Sequence, residues 1–354
     1  MAARTFSLIV ITGGFLLFAS TMAANVLLDP EGVFGTDLFP HSVNWNERND
    51  SLRRYKQNSS ATDGLLFSSS RGSYLDPDLL ATNMGITHLL SLAVSYGMLT
   101  DHLPILDYIL RDEAARGQRI KAILLLIDLD FFGKQPWTNS NINSFLSPEL
   151  TGESPVRYWW RYLTAFQFRL WRDVVRAKLA SRREKSTASA VNPIGPAEAV
   201  ERADKVGSSP IPAAGVRPEA LDALALQGFR RSWNSLRPDL ENQLSKLERF
   251  VSLCRDNGVQ LTIATSPMIR ENLDLHEPGT IDALAERISK IAPLWDFNSP
   301  PVIASRKEYW VDVSHFDSAA GKMMIGRMFG DSDVYVPAGF GQLRGRRSKA
   351  DVIE

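Results

Sequence analysis

Three polar side chains, Ser70, Asp312 and His315, stand where nucleophilic chemistry could be assembled. A serine hydroxyl attacks poorly unless an imidazole takes its proton and a carboxylate orients that imidazole. Ser70 sits in the run Ser68-Ser69-Ser70-Arg71-Gly72, directly after the apolar Leu65-Leu66-Phe67. At a strand-to-helix turn such a serine can expose its hydroxyl and turn its own N–H toward a developing oxyanion. Taken alone, a Ser-rich turn reads more readily as a loop or helix cap. Asp312 and His315 are three apart in Trp310-Val311-Asp312-Val313-Ser314-His315-Phe316-Asp317, so one turn can bring both to one point. Taken alone, that pair reads as a surface turn.

These residues must be positioned by the elements around them. In open α/β sheets, functional groups gather outside the carboxyl ends of the strands. Leu65 to Phe67 has the profile of a buried strand stopping at an exposed loop. KAILLLIDLDFFG is an uninterrupted apolar run, too short to cross a membrane, and fits a central parallel strand. VQLTIAT and LWDF supply further strands. THLLSLAVSYGMLTDHLPILDYILRDEAARG reads as one or two amphipathic helices closed by Gly117, with His88 in the helical part. RYWWRYLTAFQFRLWRDVVRAKLASRRE reads as strongly helical and aromatic with a basic end, and its Tyr158 to Trp171 stretch suits a core or membrane-facing surface, or stacking on sugars. A helical pattern from about Pro218 through Asp256, then TIDALAERISKIA, then a helix from near Ser318 complete the alternation. Strands alternating with helices imply a parallel sheet covered on both faces.

The first residues set the compartment. From Thr5 to Leu28 no residue is charged, and ~20 apolar residues suffice to span the hydrocarbon core. Arg4 before the run, with Asp29 and Glu31 after it, favours a cytoplasmic N-terminus and an exported remainder. A cleaved signal peptide is the competing reading, because Thr21-Met22-Ala23-Ala24 offers small residues; the apolar run, however, continues through Leu28. The expected division is a cytoplasmic N-terminus over 1–4, an anchor over 5–28 and an irregular connection over 29–60. One α/β domain over 61–343 follows, interrupted by a flexible Ala-, Pro-, Gly- and Ser-rich insertion at 185–218, and then a polar tail over 344–354.

Lys+Arg and Asp+Glu both number 40, a balance that argues against nucleic acid as the main partner. Arg344, Arg346, Arg347 and Lys349 read as a solvated end. Cys254 is the one cysteine, so no intrachain disulfide exists, and its helical setting makes it a small core residue. His41, His102 and His276 carry no assigned role. Asp296 could line the cleft or form a turn.

The order of a serine near the start and Asp-x-x-His near the end resembles the SGNH/GDSL superfamily. The sequence looks like its membrane-anchored members encoded with bacterial exopolysaccharide and cell-envelope machinery. The landmarks are Ser68-Ser69-Ser70-Arg71, Asn83-Met84-Gly85, Asp130-Phe131-Phe132, Ser266-Pro267, Leu294 to Phe297, Asp312 to Phe316, and Phe340 to Leu343. Together they cover nearly the whole chain outside the insertion. The resemblance implies a flavodoxin-like three-layer α/β/α fold with a central parallel sheet. It implies Ser70 as nucleophile, His315 as base and Asp312 as its orienting carboxylate. Asn83, Gly85, Arg71 and Asp130 would serve the oxyanion or the substrate, and no metal or organic cofactor is implied. Two departures stand out: Ser68 replaces an expected glycine, and Asp128-Leu129-Asp130 replaces an expected Gly-x-Asn whose amide would serve the oxyanion.

The implied activity is ester or O-acyl transfer chemistry on an envelope glycan, beside a multi-pass membrane acyltransferase. A non-catalytic accessory protein of polysaccharide synthesis or export is the alternative, and a purely structural tethered scaffold a third.

Overall fold

A computed structural model describes residues 2–36, 38–39, 46–132, 146–189 and 239–345. The chain opens with α1 (Ala2–Leu28), of which Arg4–Leu28 is long and apolar enough to cross a membrane. The connection expected to be irregular contains α2 (Glu47–Asn58), which buries Leu52 and Tyr55 although most of its residues are polar. Packing of that buried face holds a short polar helix that propensity alone would leave marginal.

β1 (Gly64–Ser68) is buried throughout and runs into a 3-10 turn over Ser70–Tyr74. α3 (Pro77–Met84) starts on the Asp76 cap with Pro77 in its first turn and closes at left-handed Gly85. The next segment departs from the helical reading: Leu89–Ala93 forms strand β2, and His88 lies in the exposed turn before it. Five consecutive residues there pair in parallel with β1, a tertiary partner that the local pattern does not reveal. α4 (Leu99–Ala115) and β3 (Ala122–Ile127) follow.

The aromatic stretch is two helices, α5 (Pro155–Thr164) and α6 (Phe168–Ser189). α6 runs five residues into the expected insertion; the rest of that insertion, and the helical pattern from Pro218 to Pro238, lie outside the described residues. Then come α7 (Leu240–Asp256), β4 (Gln260–Thr265), α8 (Thr280–Ser289), β5 (Leu294–Asp296), α9 (Ser318–Phe329) and β6 (Gln342–Arg344).

The chain divides into two compact units. One takes in Met1–Asp50 and Asn141–Ile211, so α5 and α6 belong with α1 and not with the α/β unit as expected. The other, Ser51–Ser140 with Pro212–Glu354, holds a six-stranded sheet in the order β2-β1-β3-β4-β5-β6. The first five strands are parallel and β6 is antiparallel. Arg344, read as part of a solvated tail, ends β6 and donates from Nε to Asp296 at 2.7 Å. Asp296 is thereby buried and taken up by structure rather than lining a cleft. Arg346, Arg347 and Lys349 lie outside the described residues.

Alternation along the strands sorts the core. Phe67 packs edge-on against Phe250 of α7 and against His102 of α4, so those helices cover one face. Leu66, Leu124 and Leu126 point the other way, into a cluster with Leu80 of α3 and Met323 and Met324 of α9. Each such burial contributes roughly 1.5–3 kcal/mol. The strand order reverses between β1 and β3, the switch point at which doubly wound sheets open a crevice beyond their carboxyl ends. Ser70 and Asp128 follow those two strands.

Candidate active site

The turn after β1 is shaped by small residues. Ser69 caps it, its Oγ accepting the Arg71 N–H at 3.2 Å. Gly72 is required sterically: a Cβ there would fall 1.9 Å from Ser68 Oγ. Gly321 of α9 lets that helix approach the backbone of Tyr74, where a Cβ would lie 2.2 Å from the carbonyl oxygen. Ser70 is the first residue of its turn, so its N–H has no acceptor within the helix.

The second turn is closed by Trp310 bridging to Phe316 and by Val311 N donating to His315 O at 2.9 Å. Within it Asp312 Oδ1 accepts the N–H groups of Ser314 (2.7 Å) and His315 (2.8 Å), the local bonding that suits Asp to turns. The same carboxylate meets the His315 ring, with Nδ1 2.8 Å from Oδ2. His315 Nε2 then lies 2.9 Å from Ser70 Oγ. Residues 245 positions apart are thus joined into one hydrogen-bonded chain, Ser70–His315–Asp312. His315 and Asp312 side chains remain about a quarter exposed, so the chain opens to solvent.

Electrostatics favour an ionised Asp312. Burial pushes its carboxyl upward, but His315 and the two backbone N–H groups outweigh that and hold it below the ordinary carboxylate range. The Tyr74 ring stands 5.6 Å from the His315 ring, and burial, aided by the Asp312 charge, pushes the Tyr74 hydroxyl up to about 12. Tyr74 is therefore a neutral neighbour at ordinary pH.

Arg71 and Asp130 take a different part from the one expected. The guanidinium donates to both Asp130 oxygens at 2.7 Å, to Ser266 Oγ at 3.0 Å, and to Ser314 through Nε–O at 2.7 Å and NH2–Oγ at 3.3 Å. Five bonds use all five of its N–H donors. Arg71 and Asp130 are 1% and 0% exposed, each occupied by the protein's own groups. Instead Arg71 ties the serine turn to the histidine turn. Asn272 adds a second tie, donating to Val313 O at 3.3 Å and to Asp130 at 3.4 Å. Asp128 receives the Ser266 hydroxyl at 2.5 Å and lies 3.4 Å from Arg71. Burial raises the Asp128 pKa; Arg71 opposes this and Asp130 adds to it.

Asn83 and Gly85 are not brought to the triad. Asn83 donates to Leu79 O and to Asp331, and Gly85 caps α3 before the turn that enters the opposite, amino-terminal end of β2. The loop leaving β2 lies nearer, since Val94 N donates to Ser68 O at 3.2 Å. Tyr96 in that loop adopts φ 53°, uncommon for a bulky residue, and its exposed ring meets Phe131 edge-on at 5.5 Å. Phe131 in turn lies 5.7 Å from the Arg71 guanidinium. Ser266 was visible in the sequence only as a strand-end landmark. Asn272 and Ser314 gave no signal, whereas Tyr74 could have been sought one turn after Ser70.

The fold and site together define an α/β protein with a preformed Ser-His-Asp hydrogen-bonded array at a sheet switch point. No protein-family model matches the chain, and no curated protein matches it.

Proposed function

We propose that the protein is a membrane-anchored, extracytoplasmic serine esterase or O-acyltransferase of the SGNH type, acting on envelope or exopolysaccharide glycans. The observation that carries this reading is the Ser70–His315–Asp312 chain with contacts of 2.9 and 2.8 Å. His315 Nε2 takes the Ser70 proton as Oγ attacks the ester carbonyl, and Asp312 stabilises the imidazolium through Nδ1–H. The tetrahedral oxyanion receives the Ser70 N–H. Collapse expels the alcohol, protonated by His315, and leaves an acyl-Ser70. Water or a sugar hydroxyl, deprotonated by His315, then takes the acyl group. The SGNH resemblance points to a multi-pass membrane acyltransferase as the partner that supplies the acyl group in the transferase form.

The test is labelling of the full-length chain with a serine-directed phosphonate. Wild type should label, and Ser70→Ala and His315→Ala should not. A folded wild type that resists labelling would turn the reading toward an accessory protein of polysaccharide synthesis or export. The displacement of Asn83 and Gly85 from the site, which removes two expected contributors to the oxyanion or substrate contacts, favours that second reading.

A further inference from the structure

We infer that α5 and the start of α6 form a second membrane contact, lying in the interfacial layer of the bilayer leaflet at the carboxyl end of α1. This rests on α1 being a transmembrane span.

Length makes the first argument. Residues 4–18 of α1 are exposed all round, a stretch of about 22 Å at ~1.5 Å per residue. The hydrocarbon core is about 30 Å thick, so the last several ångströms must fall beyond Phe18. There α1 is no longer bare: Thr21 and Asn25 are buried. Asn25 donates to Leu163 O at 2.9 Å and Ala165 O at 2.8 Å, and accepts Trp171 Nε1–H at 2.8 Å. The corner between α5 and α6 thus satisfies a side-chain amide that lipid would leave unpaired. The Trp160 ring lies 6.0 Å from the Phe18 ring, so it shares the depth of the bare part of the span.

Chemistry makes the second. Val156, Trp159 and Trp160 fall at helical spacing on one face of α5, at 76%, 39% and 53% exposure, while Tyr158 and Tyr162 are buried beside Val33. Phe166 and Phe168 at the corner are also exposed. Arg157 and Arg172 stand exposed on the same two helices. Outward Trp and Phe with arginines at their margin is the composition of an interfacial helix, rings among the acyl chains and cations at the phosphates. In water the same face would be an uncovered apolar patch contiguous with a membrane span.

Nitroxide labels on Val156→Cys, Trp160→Cys and Ile11→Cys of the full chain, in vesicles of phosphatidylcholine and phosphatidylglycerol, test this. Cys254 is buried with its thiol pushed up to about 12, so unsubstituted protein serves as the blank. Val156 decides, because its exposed side chain can be replaced without disturbing the fold. Oxygen accessibility above that of a water-soluble nickel chelate at 156 and 160, as at 11, is expected. A lipid signal at 11 with an aqueous one at 156 overturns the inference and leaves the anchor standing. An aqueous signal at 11 overturns the anchor reading itself, and the inference with it.

Discussion

The guanidinium of Arg71 and the carboxylate of Asp130 meet through two hydrogen bonds of 2.7 Å each, and the remaining Arg71 donors reach Ser266 and Ser314. Ser314 is the neighbour of His315, and Ser70 the neighbour of Arg71. The buried pair therefore fixes the separation of the two turns that hold the nucleophile and its base.

Arg71→Ala leaves Asp130 buried without its partner and is expected to cost about 3–5 kcal/mol, the usual consequence of stranding a buried charge. Arg71→Lys keeps the charge but cannot repeat the fork that holds Asp130 and Ser314 together. It should lower the thermal midpoint less than Arg71→Ala while still slowing phosphonate labelling of Ser70. Equal labelling rates in Arg71→Lys and wild type would show that the tie does not position the triad.

Ser70→Ala and His315→Ala are each expected to lower hydrolysis of an activated acetate ester by on the order of 10⁶-fold. Their combination should be little worse than either alone, because the two groups act as one unit. Multiplying losses in the double variant would show that they act independently.

Gly72→Ala drives a Cβ into Ser68, to 1.9 Å from Oγ and 2.5 Å from Cβ. A loss of roughly 1–3 kcal/mol is expected from the overpacking. Ser68→Gly removes both clashing atoms, so the double variant should recover most of it in chemical denaturation. Ser68→Ala leaves the Cβ clash and should rescue less.

Asp128 and Asp312 should shape stability against pH in opposite senses. Burial raises the Asp128 pKa, so the folded state holds that proton more tightly than the unfolded chain. Stability from this group is full below its unfolded pKa and falls as pH rises toward the folded value. Asp312 is lowered, so its contribution is present above the unfolded pKa and is lost as pH falls through the folded one. As pH rises above the unfolded Asp value of about 4, Asp128→Asn should therefore gain thermal midpoint relative to wild type. A constant offset would contradict a raised Asp128.

Much of the α/β unit was legible in the chain. Leu65 to Phe67, KAILLLI and VQLTIA are apolar runs bounded by polar residues, and burial on both faces makes such runs strands wherever they pack. Leu89–Ala93 was not legible, because its serine-interrupted run also fits a helix and only β1 alongside decides between them. β6 escaped for the same reason, being three residues with a single pairing partner.

The sequence by itself determined the apolar length of α1, the ends of β1, β3 and β4, and the candidate hydroxyl Ser70 with the candidate pair His315 and Asp312, because these depend on side-chain type and local spacing. Tertiary structure alone decided that Ser70 meets His315 across 245 positions, that Arg71 and Asp130 are buried ties, and that Asn83 and Gly85 stand at the other end of the strands. Hydrogen-bond partners over such separations are set by how elements pack, and no local pattern encodes which donor will find which acceptor.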